Sequence, residues 1–214
     1  MKATNLRERV LIQIRNAAKK NRKKADLYEP DMKTFIYKKS DDPLAETFAK
    51  EFNKNKGRFI YCKNSSDLVN QLSQLITANN WTNIFCTEEK IKEYLTSSEI
   101  KPHKKLQGFA QAEVGITSCE ALIARTGSII VSSAGETSRT LSVFPPVHIV
   151  IAYFDQVFFD LENAIAFLKE KYAYKFPSMI SIISGPSRTA DIEKTLVFGA
   201  HGPKDIYCFY LSEK

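Results

Sequence analysis

Between residues 42 and 95 the hydrophobic spacing switches repeatedly between a helical and a strand period. Asp42–Asn53 sets Leu44, Phe48 and Phe52 on one helical face, with Pro43 in the first turn, where a missing N–H is tolerated. Gly57–Lys63 (GRFIYCK) has strand composition, and Ser65–Ala78 repeats Leu68, Leu72, Leu75 and Ile76 at helical spacing. Thr82–Cys86 reads as a strand and Glu88–Leu95 as a helix. Strand–helix alternation with short connections predicts βαβ units and a mainly parallel sheet.

The second half continues the alternation. Strands are expected at Gln111–Ile116, Gly127–Ser132, Pro146–Tyr153, Ser178–Ile183 and Asp205–Leu211. Helices are expected at Ser118–Ala124, at Leu161–Tyr172 and from Thr189 to about Phe198. Ahead of this body, residues 5–24 predict a basic amphipathic helix: Leu6, Val10, Ile14 and Ala17 form a stripe opposite Arg7, Arg15, Lys19, Arg22 and Lys23. The chain therefore divides into an N-terminal helical arm, 1–30, ended by Tyr28-Glu29-Pro30, and an α/β domain, 31–214. A basic amphipathic helix can lie on a membrane or a nucleic acid; more often its stripe packs on its own body or on a partner subunit, so self-association is open.

The formal net charge of +7 belongs mostly to the beginning of the chain. Residues 1–60 hold 16 Lys/Arg against 8 Asp/Glu, while the remainder holds 15 against 16. A neutral body without an aromatic–basic stripe argues against nucleic-acid binding. No run of about 18 apolar residues occurs, so no membrane span is expected, and Arg7, Arg9 and Arg15 interrupt any leader-like run. Cys62, Cys86, Cys119 and Cys208 are widely separated, without a Cys-x-x-Cys pair. That pattern suits a reducing cytoplasm and offers no zinc or iron–sulfur framework. His103, His148 and His201, with Glu113, Glu120, Glu136 and Asp191, supply ligand types, but no spacing calls for a metal.

The longest chemical signal is Ser184-Gly185-Pro186-Ser187-Arg188-Thr189-Ala190-Asp191-Ile192-Glu193. Read as a strand, a Gly-Pro turn and a helix start, it presents free N–H groups, the Ser187 and Thr189 hydroxyls and the Arg188 guanidinium to a small carboxylate or phosphate. Read structurally, Thr189 is an N-cap, Asp191 answers the helix dipole and Arg188 is solvated. Thr117-Ser118-Cys119-Glu120 has the spacing of a capping box; its functional reading makes Glu120 a base or nucleophile, with Cys119 activated in a helix's first turn. His148 falls in an apolar strand, as a hydrogen-bonded core histidine would, and His201 lies in a Gly-rich turn. Walker A, Gly-x-Gly-x-x-Gly, Gly-x-Ser-x-Gly and His-Glu-x-x-His are all missing.

Several stretches taken together resemble a known family: Gly115-Ile116-Thr117 with Glu120 through Ser128, Pro145-Pro146-Val147-His148, the Ser184–Glu193 run, and His201-Gly202-Pro203. They are similar to the lactate-utilisation (LUD) domain family, protein C type, closely over residues 105–211 and loosely before. The resemblance implies a three-layer α/β/α sandwich with a mainly parallel sheet, as in the ribose-phosphate isomerase and CoA-transferase-like superfamily. It implies a role in bacterial oxidation of L-lactate to pyruvate beside two iron–sulfur proteins, which would hold the redox centres, leaving this chain without a cofactor. It assigns a ligand site to Thr117, Thr126, Gly127, Ser184, Gly185, Ser187, Arg188, Thr189 and His201, with Glu120 as the catalytic candidate. The rival reading is a CoA-transferase-like acyl-transfer enzyme with Glu120 as nucleophile. The chain departs from the family pattern at Arg125, where an acid is common, and at Ser118-Cys119, where Gly-Ala is common.

Overall fold

The computed structural model describes residues 6–20, 42–98, 100–103, 109–134, 140–192, 195–199 and 201–213. They belong to two units, Met1–Lys39 and Ser40–Lys214. In the first unit the described structure is the helix α1 (Leu6–Lys20), on which Val10, Leu11, Ile12 and Ile14 are exposed. The arm's expected end at Tyr28–Pro30 lies outside the described residues.

In the second unit the alternation read from the sequence holds through residue 97. Helix α2 (Leu44–Lys54) buries Phe48 and Phe52, one turn apart on one face. It leads to strand β1 (Arg58–Cys62). Helix α3 (Ser65–Ala78) starts where the Asn64 side chain accepts the Asp67 N–H at 2.9 Å, and it buries Leu68, Leu72 and Ile76. Strand β2 (Ile84–Phe85) and helix α4 (Glu89–Ser97) follow, and α4 buries Ile91 and Leu95.

Beyond α4 the chain builds a second sheet as well. Strand β3 (Val114–Ser118) is followed at once by β4 (Ala121–Ile123), which hairpins onto β5 (Ser128–Ser132). The helix expected at Ser118–Ala124 is thus replaced by strand ends. The Glu120 N–H, which a helix would have used, donates to the Ile130 carbonyl at 2.8 Å. The apolar run Ala121–Ile123 finds its ladder partner in Ser128–Ile130. Next come β6 (Val147–Tyr153), β7 (Val157–Phe158), α5 (Leu161–Lys171), started by an Asp160 cap, and β8 (Ile180–Ile183).

The helix expected after Thr189 is also absent. Two strands, β9 (Arg188–Ile192) and β10 (Thr195–Phe198), instead pair as an antiparallel ribbon. Thr189, Ile192, Thr195 and Val197 are β-branched, and that content outweighs a capping-like start. The last strand is β11 (Asp205–Leu211).

Strands β1-β11-β6-β3-β2, in that order, form one sheet with every neighbouring pair parallel. The α/β class with a mainly parallel sheet is the expected one. Helices α3 and α4 cover one face through Leu68, Leu72, Ile91 and Leu95. The other face carries α2 together with a second sheet, β7-β4-β5-β8. Here β8 runs antiparallel to β5, so the strand before Ser184 belongs to this sheet and does not end at the parallel sheet's carboxyl edge. Along β4 and β5 the side chains alternate: Leu122, Ile129 and Val131 face the parallel sheet, while Ala121, Ile123 and Ile130 face Ala164 and Leu168 of α5. No helix among the described residues is long and apolar enough to cross a membrane.

The β4–β5 turn fits against α2 only because residue 127 is glycine. Its φ is +58°, and a Cβ there would lie 2.3 Å from the Phe52 backbone nitrogen. Gly127→Ala is expected to cost more than the roughly 1–3 kcal/mol of an unfavourable backbone region, because the clash is with main chain. Urea unfolding should show a lower midpoint with an unchanged slope.

Candidate functional site

Parallel strands bring their carboxyl ends to one edge, where the chain leaves the sheet and open α/β folds bind ligands. At that edge a cleft of about 310 Å³ opens between the ends of β2, β3 and β6. Glu88 and Lys90 come from the β2–α4 junction, Ser118 and Glu120 from the end of β3, and Tyr153 from the end of β6. The last turn of α5 closes it with Lys171 and Tyr172.

Glu120 is the centre of this arrangement. It is 8% exposed, and three donors meet it: Ser132 Oγ at 2.5 Å and Tyr172 OH at 2.9 Å on Oε1, and Lys171 Nζ at 2.8 Å on Oε2. Burial alone would raise its pKa; the hydrogen bonds from Lys171 and Ser132, helped by the lysine's charge and by Tyr172, outweigh burial and hold the carboxyl below its ordinary 4.5. Burial would lower the Lys171 pKa, and the bond and charge of Glu120 outweigh it, so the ammonium is held above its ordinary 10.5. Tyr172 is raised, first by burial and then by Glu120. The carboxylate and ammonium therefore coexist, and the Lys171 side chain keeps 40% of its surface exposed for a further acceptor.

The backbone that carries Glu120 is gripped from two more sides. Glu88 Oε1 accepts the Ser118 N–H at 2.8 Å. The Gln156 amide donates to the Cys119 carbonyl at 2.7 Å and accepts the Tyr153 N–H at 2.7 Å, tying the end of β3 to the end of β6. Lys90 Nζ lies 4.2 Å from the centre of the Tyr153 ring, within cation–π range. Cys119 is buried; burial, then the neighbouring Cys208 and Glu120, push its thiol well above 9.0, the reverse of activation by a helix dipole.

The residues expected to form one site fall in four places. Glu120 lies in the carboxyl-edge cleft. Thr117 is buried on β3, its hydroxyl 2.9 Å from His148 Nε2. His148 is fully buried, burial lowers its pKa to about 4, and its Nδ1 has no hydrogen-bond partner among the described residues.

Thr126, Gly127, Ser184, Gly185 and Arg188 gather around the end of α2. Ser128 joins Thr126 at 2.8 Å and Ser184 at 2.7 Å, and Asn55 donates to the Thr126 carbonyl at 2.8 Å. The exposed Arg188 guanidinium donates to the Asn55 carbonyl, an acceptor at the C-terminal end of α2. Gly185, at φ +92°, leaves room for the same carbonyl, from which a Cβ would be 2.2 Å away. Ser128 and Ser132 end a five-residue strand, so this cluster is about 13 Å from the Glu120 cleft. Ser187 and His201 lie near the start of β11, at the amino edge, where the Ser187 N–H donates to the Pro203 carbonyl at 2.9 Å. Of Thr189, the backbone is described and the side chain is not.

Lys171, Tyr172, Ser132 and Gln156 were not predicted. The hairpin Ala121–Ser132 could have flagged Ser132: with Ala121 opposite Ile130, residue 132 falls one position from the partner of residue 120. No spacing links residues 120 and 171, which meet only because α5 packs outside β4 and β5. Among the described residues no group of three or more His, Cys, Asp and Glu is placed to hold a metal ion.

Against known families, the LUD domain matches residues 45–210. Among curated proteins, the Neisseria meningitidis uncharacterized protein NMB1437 is 39% identical over 103 residues, 48% of this chain and 43% of that protein. Lactate utilization protein C of Bacillus licheniformis is 34% identical over 102 residues, 47% of this chain and 42% of that protein. Escherichia coli YkgG is 34% identical over 129 residues, 56% and 54% of the two chains. The chain spans about half the length of the curated relatives it matches. The crystal structure of a DUF162 family protein from Deinococcus radiodurans superposes with a TM-score of 0.62 over 78% of this chain and 96% of that chain; at 16% identity it speaks to the fold alone.

Two titrations follow from the geometry. The Glu120 carboxyl should titrate below 4.5 by carboxyl ¹³C NMR, and its stabilising contribution is present at neutral pH and lost as pH falls through that folded value. In Lys171→Met, burial is opposed by two neutral donors only, and the midpoint should rise. For His148 the unfolded chain takes up a proton near pH 6.5 that the folded chain refuses until about 4. Stability should therefore fall as pH drops across that window, and His148→Gln should remove up to about 1.4 kcal/mol per pH unit of the slope. Urea midpoints at a series of pH values measure it.

Proposed function

The chain belongs to the LUD domain family, and from that premise we propose that it serves lactate utilisation as a subunit that holds a small carboxylate while iron–sulfur partner proteins take the electrons. The relatives named lactate utilization protein C support the pathway. The observation that carries the site is the Lys171 ammonium, fixed on buried Glu120 yet open to the carboxyl-edge cleft. Glu120 sets the lysine's position and keeps it charged; the remaining ammonium protons are donors for the carboxylate of a 2-hydroxy or 2-oxo acid. Ser118 and Tyr153, on the same wall, are within the cleft for the second oxygen function. This moves the anion site from the Ser187–Thr189 turn, where there is no helix start, to the parallel sheet's carboxyl edge.

The four cysteines support a chain that leaves electron transfer to others. All are buried, and burial pushes the thiols of Cys62 and Cys86 up to about 12. Oxidation of L-lactate to pyruvate releases two electrons and two protons, and the proposed partners accept the electrons. The acyl-transfer reading is weaker because a nucleophilic carboxylate needs a free oxygen. Here Oε1 already accepts two hydroxyls and Oε2 an ammonium.

The purified chain with L-lactate and an artificial electron acceptor should show no turnover, and activity should appear when the two iron–sulfur proteins of the same system are added. Lys171→Met should then lower kcat/KM of the assembled system by roughly 10- to 150-fold, the worth of one charge-assisted contact. Sustained lactate oxidation by the chain alone, or full activity of Lys171→Met, would overturn the reading.

A further inference from the structure

The space at the carboxyl edge does not end at Lys171. Beside the Glu120 cleft lies a second chamber of about 540 Å³, lined by Lys90, Tyr153, Asp155, Gln156, Phe167 and Lys171. Lys90, Tyr153, Gln156 and Lys171 also line the cleft, so the two spaces adjoin. The Lys171 ammonium borders both. It is 2.8 Å from Glu120 Oε2 in the cleft and 5.9 Å from the centre of the Phe167 ring in the chamber. A group bound on that ammonium therefore has the cleft on one side and the chamber on the other.

A three-carbon acid occupies about 100 Å³, the share of three or four waters, and the cleft alone exceeds that. The chamber adds a volume of small-molecule size that lactate cannot fill. Its walls indicate what does. Phe167 is half-buried, and its ring is fixed against that of Phe158, with centroids 5.0 Å apart. Lys90 Nζ lies over the Tyr153 ring at 4.2 Å, and Lys171 Nζ is 5.2 Å from the centre of the Tyr172 ring. Ammonium groups so placed attract the π-face of a further ring in the same way. Beyond the anchor the chamber offers one ammonium, Lys90, and one carboxylate, Asp155, so it calls for no second charge on the ligand.

We propose that this site takes a 2-hydroxy acid with an aromatic substituent, its carboxylate on Lys171 and its ring in the chamber against Phe167, in preference to lactate itself. This rests on Lys171 being the carboxylate anchor, and it adds what the acid carries at C3. Phe167 is then the residue that sets specificity. It stands one turn before Lys171 on α5, at the spacing that puts two side chains on one helix face, so the anchor and the ring wall are carried by one rigid element.

The test is a ¹⁵N–¹H NMR titration of the full chain with L-3-phenyllactate, L-lactate and 3-phenylpropane-1,2-diol. Both acids should shift the amides of Glu120 and Lys171, and phenyllactate should also shift that of Phe167. Phenyllactate should bind at least about tenfold more tightly than lactate, the gain from burying part of a phenyl ring. The diol, which lacks the carboxylate, should bind at least about tenfold more weakly than phenyllactate. Phe167→Ala should erase the preference for phenyllactate. The ligand series uses the unaltered chain, so a loss of stability in that variant leaves the outcome readable. Equal affinities of the two acids, phenyllactate shifts that miss Phe167, or a preference that survives in a folded Phe167→Ala would overturn the chamber and leave the anchor standing. Absence of shifts at Lys171 with either acid, or equal binding of the diol, would overturn the anchor and the chamber with it.

Discussion

Two central strands, β6 and β11, pair along all seven residues and are buried on both faces. A sheet with such a centre needs a covering layer on each side. Helices α3 and α4, which arise between β1 and β3, supply one. They leave the opposite face, with Val150, Ala152, Ile206 and Cys208, to α2 and the β4–β5 hairpin. That hairpin is itself apolar outward, at Ala121, Ile123 and Ile130, so it requires α5. The last turn of α5 then delivers Lys171 and Tyr172 to Glu120. The chemistry at the cleft is thus the end of a sequence of burial requirements that starts at the middle of the parallel sheet.

The polar stitching around Asn55 serves the same requirement. α2 must lie close to the hairpin for Phe48 and Phe52 to reach the core, and Gly127 removes the side chain that would keep them apart. Thr126, Ser128 and Ser184 form a chain of hydroxyls behind it, and Arg188 answers the helix end. These residues belong to motifs expected to contact a ligand, and in the fold they bond the protein's own backbone and one another.

What the sequence revealed follows what its periods can encode. The helices of Phe48 and Phe52, of Leu68, Leu72 and Ile76, and of Leu168 were legible because each repeats over several turns. The hairpin at Ala121–Ser132 was not, because Thr117 and Glu120 imitate a capping box and three apolar residues fit either period. The stretch after Arg188 failed for a related reason: a Ser-Arg-Thr start suggests a cap, while the β-branched residues that follow take the ladder. Glu120 was legible as a carboxylate at a strand end. Its partners were not, since Lys171 is brought to it by layer packing across 51 residues of chain.

Helix α5 is the outermost layer, and it fully buries only Ala164 and Leu168. A buried leucine of this kind contributes about 1.5–3 kcal/mol, far less than the sheet beneath it. Local opening free energies follow such differences, so α5 can detach while the parallel sheet stays closed. Each detachment removes the ammonium and the phenol together and leaves a half-buried carboxylate with one hydroxyl partner, free to take up a proton. The lifetime of the assembled cleft is therefore the residence time of α5, which rests on Ala164 and Leu168 with Ile165 and Phe167 partly buried beside them.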